Sequence, residues 1–246
     1  MKPYFDGGDV VLYLGDCREA IPALGLTADL VVADPPYGET SLAWDRWPDG
    51  WPTLAATVAD SLWCFGSMRM FLARRDEFAG WKLSQDLIWE KQNGSGFADD
   101  RFKRVHETIT HWYRGDWGGL HHETPKVAVP WRTAPNSGRA QPPHLGKIGS
   151  HAWDDDGTRL TRSVIKQPNM WRRGAIHPTE KPLALLAPLI EYACPTGGTV
   201  LDPFAGSGST LDAARQSGRR AIGIEAHEPY AEKAARRLQQ LTMEAP

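Results

Sequence analysis

Val200-Leu201-Asp202-Pro203-Phe204-Ala205-Gly206-Ser207-Gly208-Ser209-Thr210 reads as a buried strand that runs into a glycine turn and then into a helix. Glycines let the backbone come close to a ligand, and a helix opening at Ser209 offers free N–H groups and the positive end of its dipole. The segment lacks the lysine of a triphosphate-binding loop, and its glycines do not fit G-x-G-x-x-G. About twenty residues on, Glu225 ends the apolar run Ala221-Ile222-Gly223-Ile224-Glu225, where an acidic side chain can accept both hydroxyls of a ribose.

The same alternation of apolar and amphipathic stretches extends outward to both ends of the chain. Strands are expected at 10–14, 30–33, 62–65, 83–89, 105–112, 199–202 and 220–225, and helices at 18–24, 53–60, 68–78, 183–193, 209–217 and 230–241. Strands and helices in turn predict an α/β fold, a mostly parallel sheet with helices on both faces. From 115 to 174 the periodicity disappears and Gly, Pro, Trp and basic residues take over, which marks an inserted irregular lobe. The expected organisation is one domain whose halves, 1–114 and 175–246, are separated by the lobe 115–174. A chain of 246 residues can bury one such core.

Composition excludes several classes. No apolar run approaches the roughly 20 residues of a membrane span, and the N-terminus has no apolar signal segment, so a cytoplasmic protein without membrane contact is expected. Cys17, Cys64 and Cys194 are widely spaced, with no metal-ligand pattern, so no metal and no disulfide framework is expected. The net charge of −2 hides a division: 13 Lys/Arg against 6 Asp/Glu lie between Arg101 and Ala175, leaving 15 against 24 elsewhere. A cationic segment of that kind suits a polyanionic partner.

Two further motifs carry chemistry. Asp34-Pro35-Pro36-Tyr37 follows the apolar strand Leu30-Val31-Val32-Ala33, at the carboxyl end where open α/β sheets place their ligands. Two prolines stiffen the turn and remove two donors, so its carbonyls and the Asp34 carboxylate face a ligand as acceptors only, a site that wants an NH2 donor. Tyr37 adds a flat ring on which a base could stack. His177-Pro178-Thr179-Glu180-Lys181-Pro182 crowds polar groups ahead of a helix, an arrangement suited to a carboxylate and equally readable as a simple cap.

Together these elements resemble the amino-methyltransferases of DNA, specifically the β-group, in which the catalytic half precedes the cofactor half. Leu87-Ile88-Trp89-Glu90-Lys91-Gln92-Asn93, Arg101-Phe102 and His106-Glu107 are also similar to the segment that family places after its catalytic strand. The resemblance implies a Rossmann-like methyltransferase fold with permuted motif order, S-adenosylmethionine as cofactor and double-stranded DNA as partner, and leaves a homodimer open. Asp34, Pro35, Pro36 and Tyr37 would act on the target amino group. Asp202, Pro203, Phe204, Ala205, Gly206, Ser207, Gly208, Ser209 and Thr210 would cradle the cofactor, with Asp34 beside it. Glu225 would hold its ribose, Asp16 its adenine, and His177, Thr179 and Lys181 its methionine part.

The lobe stands where the family keeps its target-recognition region. Arg114, Lys126, Arg132, Arg139, Lys147, Arg159, Arg162, Lys166, Arg172 and Arg173 are candidate DNA contacts there.

In the family resembled, N4-cytosine activity goes more often with Ser than with Asp ahead of Pro-Pro-Tyr, so the resemblance implies N6 of adenine, with N4 of cytosine as the alternative. Carbon-5 methylation needs a nucleophilic Cys in a Pro-Cys pair, and Cys194-Pro195 has the reverse order. An inactive DNA-binding relative and a dinucleotide oxidoreductase are the readings from other classes.

Overall fold

The computed structural model describes residues 1–41, 45–92, 100–128, 157–168 and 180–243. His177, Thr179, Arg132, Arg139, Lys147, Arg172 and Arg173 lie outside the described residues.

The described chain contains a nine-stranded sheet built from β1 (Phe5–Asp6), β2 (Val10–Leu14), β3 (Leu30–Ala33), β4 (Ser61–Gly66), β5 (Lys82–Glu90), β6 (His106–Tyr113), β9 (Val164–Lys166), β10 (Thr199–Asp202) and β11 (Arg220–Glu225). Its order is β1-β2-β11-β10-β3-β4-β6-β5-β9, and within it only β1 and β6 run against the other strands. The helices are α1 (Cys17–Leu24), α2 (Trp51–Ala55), α3 (Met68–Ala73), α4 (Leu183–Ala193), α5 (Ser209–Gln216) and α6 (Glu228–Met243). Residues Met1–Glu123 with Ser163–Pro246 form one compact unit, and Thr124–Arg162 form another. Within the second unit, β7 (Lys126–Ala128) pairs antiparallel with β8 (Thr158–Leu160).

Alternation along the central strands sends side chains into two cores. Leu30 and Val32 of β3 join Trp63 and Phe65 of β4 and the apolar faces of α4, α5 and α6. Val31 and Ala33 join Leu62 and Cys64 and the residues of α1, α2 and α3 on the other face. Burial on both faces explains why β3 and β4 read as unbroken apolar runs. Each fully buried Val or Leu contributes roughly 1.5–3 kcal/mol.

Two helices end well short of their expected extents. The run expected as one helix over 68–78 breaks at Arg74, which leaves helical geometry (φ −112°), and resumes as a single 3-10 turn, Arg75–Phe78. Tertiary contacts account for the break: the Arg74 guanidinium lies 3.2 Å from Asp49 and over the Trp47 ring, while Glu77 accepts the Trp47 indole N–H at 2.6 Å. Likewise the helix expected over 53–60 is the short α2, because after Ala55 the hydrogen bonds tighten to three residues, Thr57 to Leu54 and Val58 to Ala55, in the turn that leads to β4.

At the sheet end opposite the carboxyl ends of the parallel strands, His111 is buried between Trp63 and Tyr192 and shares a 2.9 Å hydrogen bond with Ser61 Oγ. Burial, and secondarily His122, holds its pKa down at about 4 against 6.5 unperturbed. The unfolded chain therefore binds a proton below pH 6.5 that the folded chain refuses, so this contribution is complete above pH 6.5 and shrinks as pH falls toward 4. Between pH 7 and pH 5 the native state should lose about 2 kcal/mol through this group. Urea unfolding at both pH values, in wild type and His111→Phe, checks it; identical pH dependence in the two proteins would exclude His111 as the source.

Candidate active site

β10 and β3 are parallel neighbours, with Val200 opposite Leu30 and Leu201 opposite Val31. The chain leaves β10 toward β11 through α5 and leaves β3 toward β4 through α2, in opposite directions along the sheet. The sheet order thus reverses between these two strands, and a crevice opens at their carboxyl ends. Asp34-Pro35-Pro36-Tyr37 and Asp202 to Gly206, far apart in sequence, line one cleft of about 880 Å³.

At one end of the cleft Glu225 is buried and accepts the backbone N–H of Gly206 on one oxygen (2.7 Å) and of His227 on the other (2.8 Å). Each oxygen keeps a lone pair for a hydroxyl. Burial raises the Glu225 pKa, against the pull of those two N–H groups. Gly206 and Gly208 have φ of +52° and +78°, a region that side chains rarely adopt, and a Cβ on Gly208 would come within 3.2 Å of Ala234. Phe204 packs edge-on against Trp51 at 5.3 Å, which anchors the loop to the core. Asp202 is buried, accepts the N–H of Phe204 at 2.9 Å, and has its pKa pushed up to about 7, chiefly by desolvation. Ser207 and Ser209 share a 3.0 Å hydrogen bond. Asp16 also faces the cleft and caps α1, its carboxylate held by Arg18 at 2.6 Å.

At the other end, Asp34 is held by two partners. Tyr37 donates its hydroxyl to Asp34 Oδ1 at 2.9 Å and also lies 3.3 Å from Glu107 Oε1, while the Lys181 ammonium donates to Asp34 Oδ2. Lys181 is 3.8 Å from Glu107, whose other partner is Lys91 at 3.2 Å. Two partly buried carboxylates and two ammonium groups thus neutralise each other around one phenol. Burial alone would pull the Lys181 pKa down, but Asp34 and Glu107 outweigh it and the ammonium is favoured. Burial alone would push Glu107 up, but Lys181 and Lys91 hold it below the usual carboxylate range. Burial, reinforced by the Asp34 and Glu107 charges, raises the Tyr37 pKa well above 10, so the phenol stays a neutral donor.

Glu180 and Lys181 face different partners. Glu180 accepts from Arg237 of α6 at 2.6 Å, and Arg237 also reaches Ser209 Oγ at 3.2 Å and lies 3.4 Å from Asp212, on α5; Lys181 turns to Asp34. One dipeptide therefore ties the glycine-loop half to the Asp34 half.

Of the expected DNA contacts, Arg114, Lys126, Arg159, Arg162 and Lys166 are among the described residues. Arg114 lies at the sheet end away from the cleft, its guanidinium donating to the Ala56 carbonyl and 3.3 Å from Asp60. Lys166 stands on the edge strand β9 of the large sheet, 3.2 Å from Glu90. Lys126 and Arg159 are on the two strands of the small unit, and Arg162 closes that unit. Glu107 and Lys91 were not among the candidate site residues. The only sequence signal for them was their place in the segments after the catalytic strand, since β5 and β6 reach the cleft by antiparallel pairing.

The DNA methylase model for N6 and N4 enzymes matches residues 28–236. The type II methyltransferase M.ScaI of Streptomyces caespitosus is 28% identical over 97% of this chain and 84% of its own length. Among solved structures, M1.HpyAVI in complex with SAM superposes with a TM-score of 0.64 at 23% identity, covering 93% of this chain and 98% of that one. PvuII DNA methyltransferase, which is cytosine-N4-specific, superposes with a TM-score of 0.65 at 16% identity over 95% and 88%. With the family match spanning most of the chain and the fold that of its structural neighbours, this protein belongs to the N6/N4 DNA methylase family, whose methyl donor is S-adenosylmethionine.

Proposed function

We propose that this protein methylates N6 of adenine in double-stranded DNA, acting on a base turned out of the helix. The observation that carries the reading is the Asp34 carboxylate at the end of β3, immobilised by Tyr37 and Lys181 within the cleft that the glycine loop also lines. The amine of adenine is a poor nucleophile because its lone pair is delocalised into the ring. Asp34, which keeps unused lone pairs on both oxygens, and the Pro35 carbonyl accept its two N–H groups and favour the tetrahedral nitrogen of the transition state. S-adenosylmethionine, when bound, supplies a methyl group already activated by its sulfonium. The chain's part is alignment and charge stabilisation, with no covalent attachment to the protein.

The residues present fit that cofactor. Asp16, Asp202 and Glu225 set three carboxyl groups against the one guanidinium of Arg18 at that end of the cleft, which suits a sulfonium and an ammonium, and Glu225 presents two free lone pairs to a ribose diol. Gly206 and Gly208 keep the loop low enough for close approach, and Phe204 offers an apolar wall. Lys181, whose ammonium is taken up by Asp34 and Glu107, serves the site by fixing Asp34 at the junction of the two halves. The segment 115–174 would read the target sequence. Flipping requires a few kcal/mol, offset by stacking in the cleft and by phosphate contacts.

N4 of cytosine is the second reading, favoured by the likeness to the cytosine-N4-specific PvuII enzyme. Incubation of the protein with methyl-labelled S-adenosylmethionine and mixed-sequence duplex DNA, followed by nucleoside mass analysis, decides between them. N6-methyladenine is the expected product. N4-methylcytosine would replace the reading with the second, and absence of any methylated nucleoside would overturn both.

A further inference from the structure

The two ends of the cleft differ in charge. Asp202, Glu225 and Asp16 with its Arg18 partner stand at one, three carboxyl groups against one guanidinium; beyond Tyr37 the other is bordered by the exposed side chains of Arg46, Arg69 and Arg104. A short chain of contacts gathers them. Arg104 lies 3.4 Å from Glu39, Glu39 also accepts the Ser67 hydroxyl, and Arg69 follows Ser67 in the first turn of α3. Arg46 adjoins Asp45, whose carboxylate is turned inward onto the N–H groups of Gly38 (2.8 Å) and Thr40 (2.6 Å) and is therefore spent on holding the loop after Tyr37. Among the described residues, the rim thus carries three guanidinium groups against the one outward carboxylate of Glu39. Met68, next to Arg69 on the cleft lining, is 58% exposed.

A nucleotide turned out of a duplex brings the phosphates on both of its sides to the mouth of the site, where they must stay, since the interior charges are already paired among Asp34, Lys181, Glu107 and Lys91. Guanidinium groups match phosphate oxygens with two parallel hydrogen bonds and give up their water readily. Resting on the DNA-methylating reading above, we propose that Arg46, Arg69 and Arg104 form a phosphate-binding rim that holds the DNA backbone on both sides of the target nucleotide, with Met68 packing against the adjoining sugar. Glu39 competes with phosphate for Arg104 and so sets an upper bound on affinity.

The test compares wild type, Arg46→Ala/Arg69→Ala/Arg104→Ala and Glu39→Gln in binding a fluorescent duplex over a range of salt, with cofactor affinity and the single-turnover rate at saturating DNA measured alongside. Each lost phosphate contact should flatten the plot of log K against log salt by about one unit, so the triple variant should lose two to three units of slope and bind roughly tenfold or more weakly at about 0.1 M salt. Its cofactor affinity and saturated rate should stay within about twofold of wild type, as expected for contacts made equally before and during transfer. Glu39→Gln should bind the duplex more tightly than wild type. Unchanged slope in the triple variant, whether affinity falls or not, overturns the rim while the wild type still methylates the same duplex. Failure of the wild type to methylate any DNA overturns the reading beneath it instead.

Discussion

Asp34→Asn is expected to lower the single-turnover methylation rate by about a thousandfold, or roughly 4 kcal/mol of transition-state stabilisation. The amide keeps the shape of the side chain but replaces one acceptor oxygen by an NH2 that faces the incoming amine, or faces Lys181, donor against donor in either case. Tyr37 and Lys181 then lose the anion they converge on. Cofactor affinity should change by less than about threefold, because Glu225 and the glycine loop lie at the other end of the cleft. Single-turnover kinetics with labelled donor, paired with calorimetric titration of the cofactor, make the comparison. A variant that kept more than a tenth of the rate, a loss below about 1.4 kcal/mol, would remove Asp34 from the chemistry.

Lys181→Met should be the most damaging change to the fold among the site residues. It withdraws a buried ammonium from between Asp34 and Glu107, leaving Lys91 as the remaining counter-charge among the described residues, with Tyr37 bridging the two carboxylates. Removing one partner of a buried pair typically destabilises by about 3–5 kcal/mol, which for a chain of this size corresponds to a fall in Tm on the order of 10 °C. Part of the strain is relieved by keeping a proton on one carboxyl, so the remaining activity should rise with pH over a range where wild type is flat. Thermal unfolding and a pH–rate profile of Lys181→Met and Lys181→Arg test this. Arginine should recover most of the Tm, and a methionine variant melting within 2 °C of wild type would show that Lys181 does not neutralise the pair.

The central strands and their parallel class were legible because such a strand is apolar on both faces: Leu30-Val31-Val32-Ala33 has no polar position, which only a strand covered by helices on two sides tolerates. The glycine loop and the Asp34 turn were legible because their backbones demand Gly and Pro. The cation at Asp34 was not. Lys181 read as a cofactor ligand, and nothing local says that it turns toward a carboxylate 147 residues away. Glu107 and Lys91 look like ordinary strand-end charges until β6 inserts antiparallel beside β4 and brings Glu107 to Tyr37. The break in the helix after Ala73 also came from outside its own sequence, through Asp49 and Trp47.

The amino-acid sequence by itself determined where the chain must bend, which runs must be covered, and which two corners carry acceptors and open backbone, since Gly, Pro and side-chain polarity act over a few residues. Tertiary structure alone decided the ionic neighbourhood of Asp34 and the gathering of arginines at the cleft mouth. Coulomb interactions depend on distance in space, and strands far apart in the chain become neighbours only when the sheet closes its order around the junction of β10 and β3.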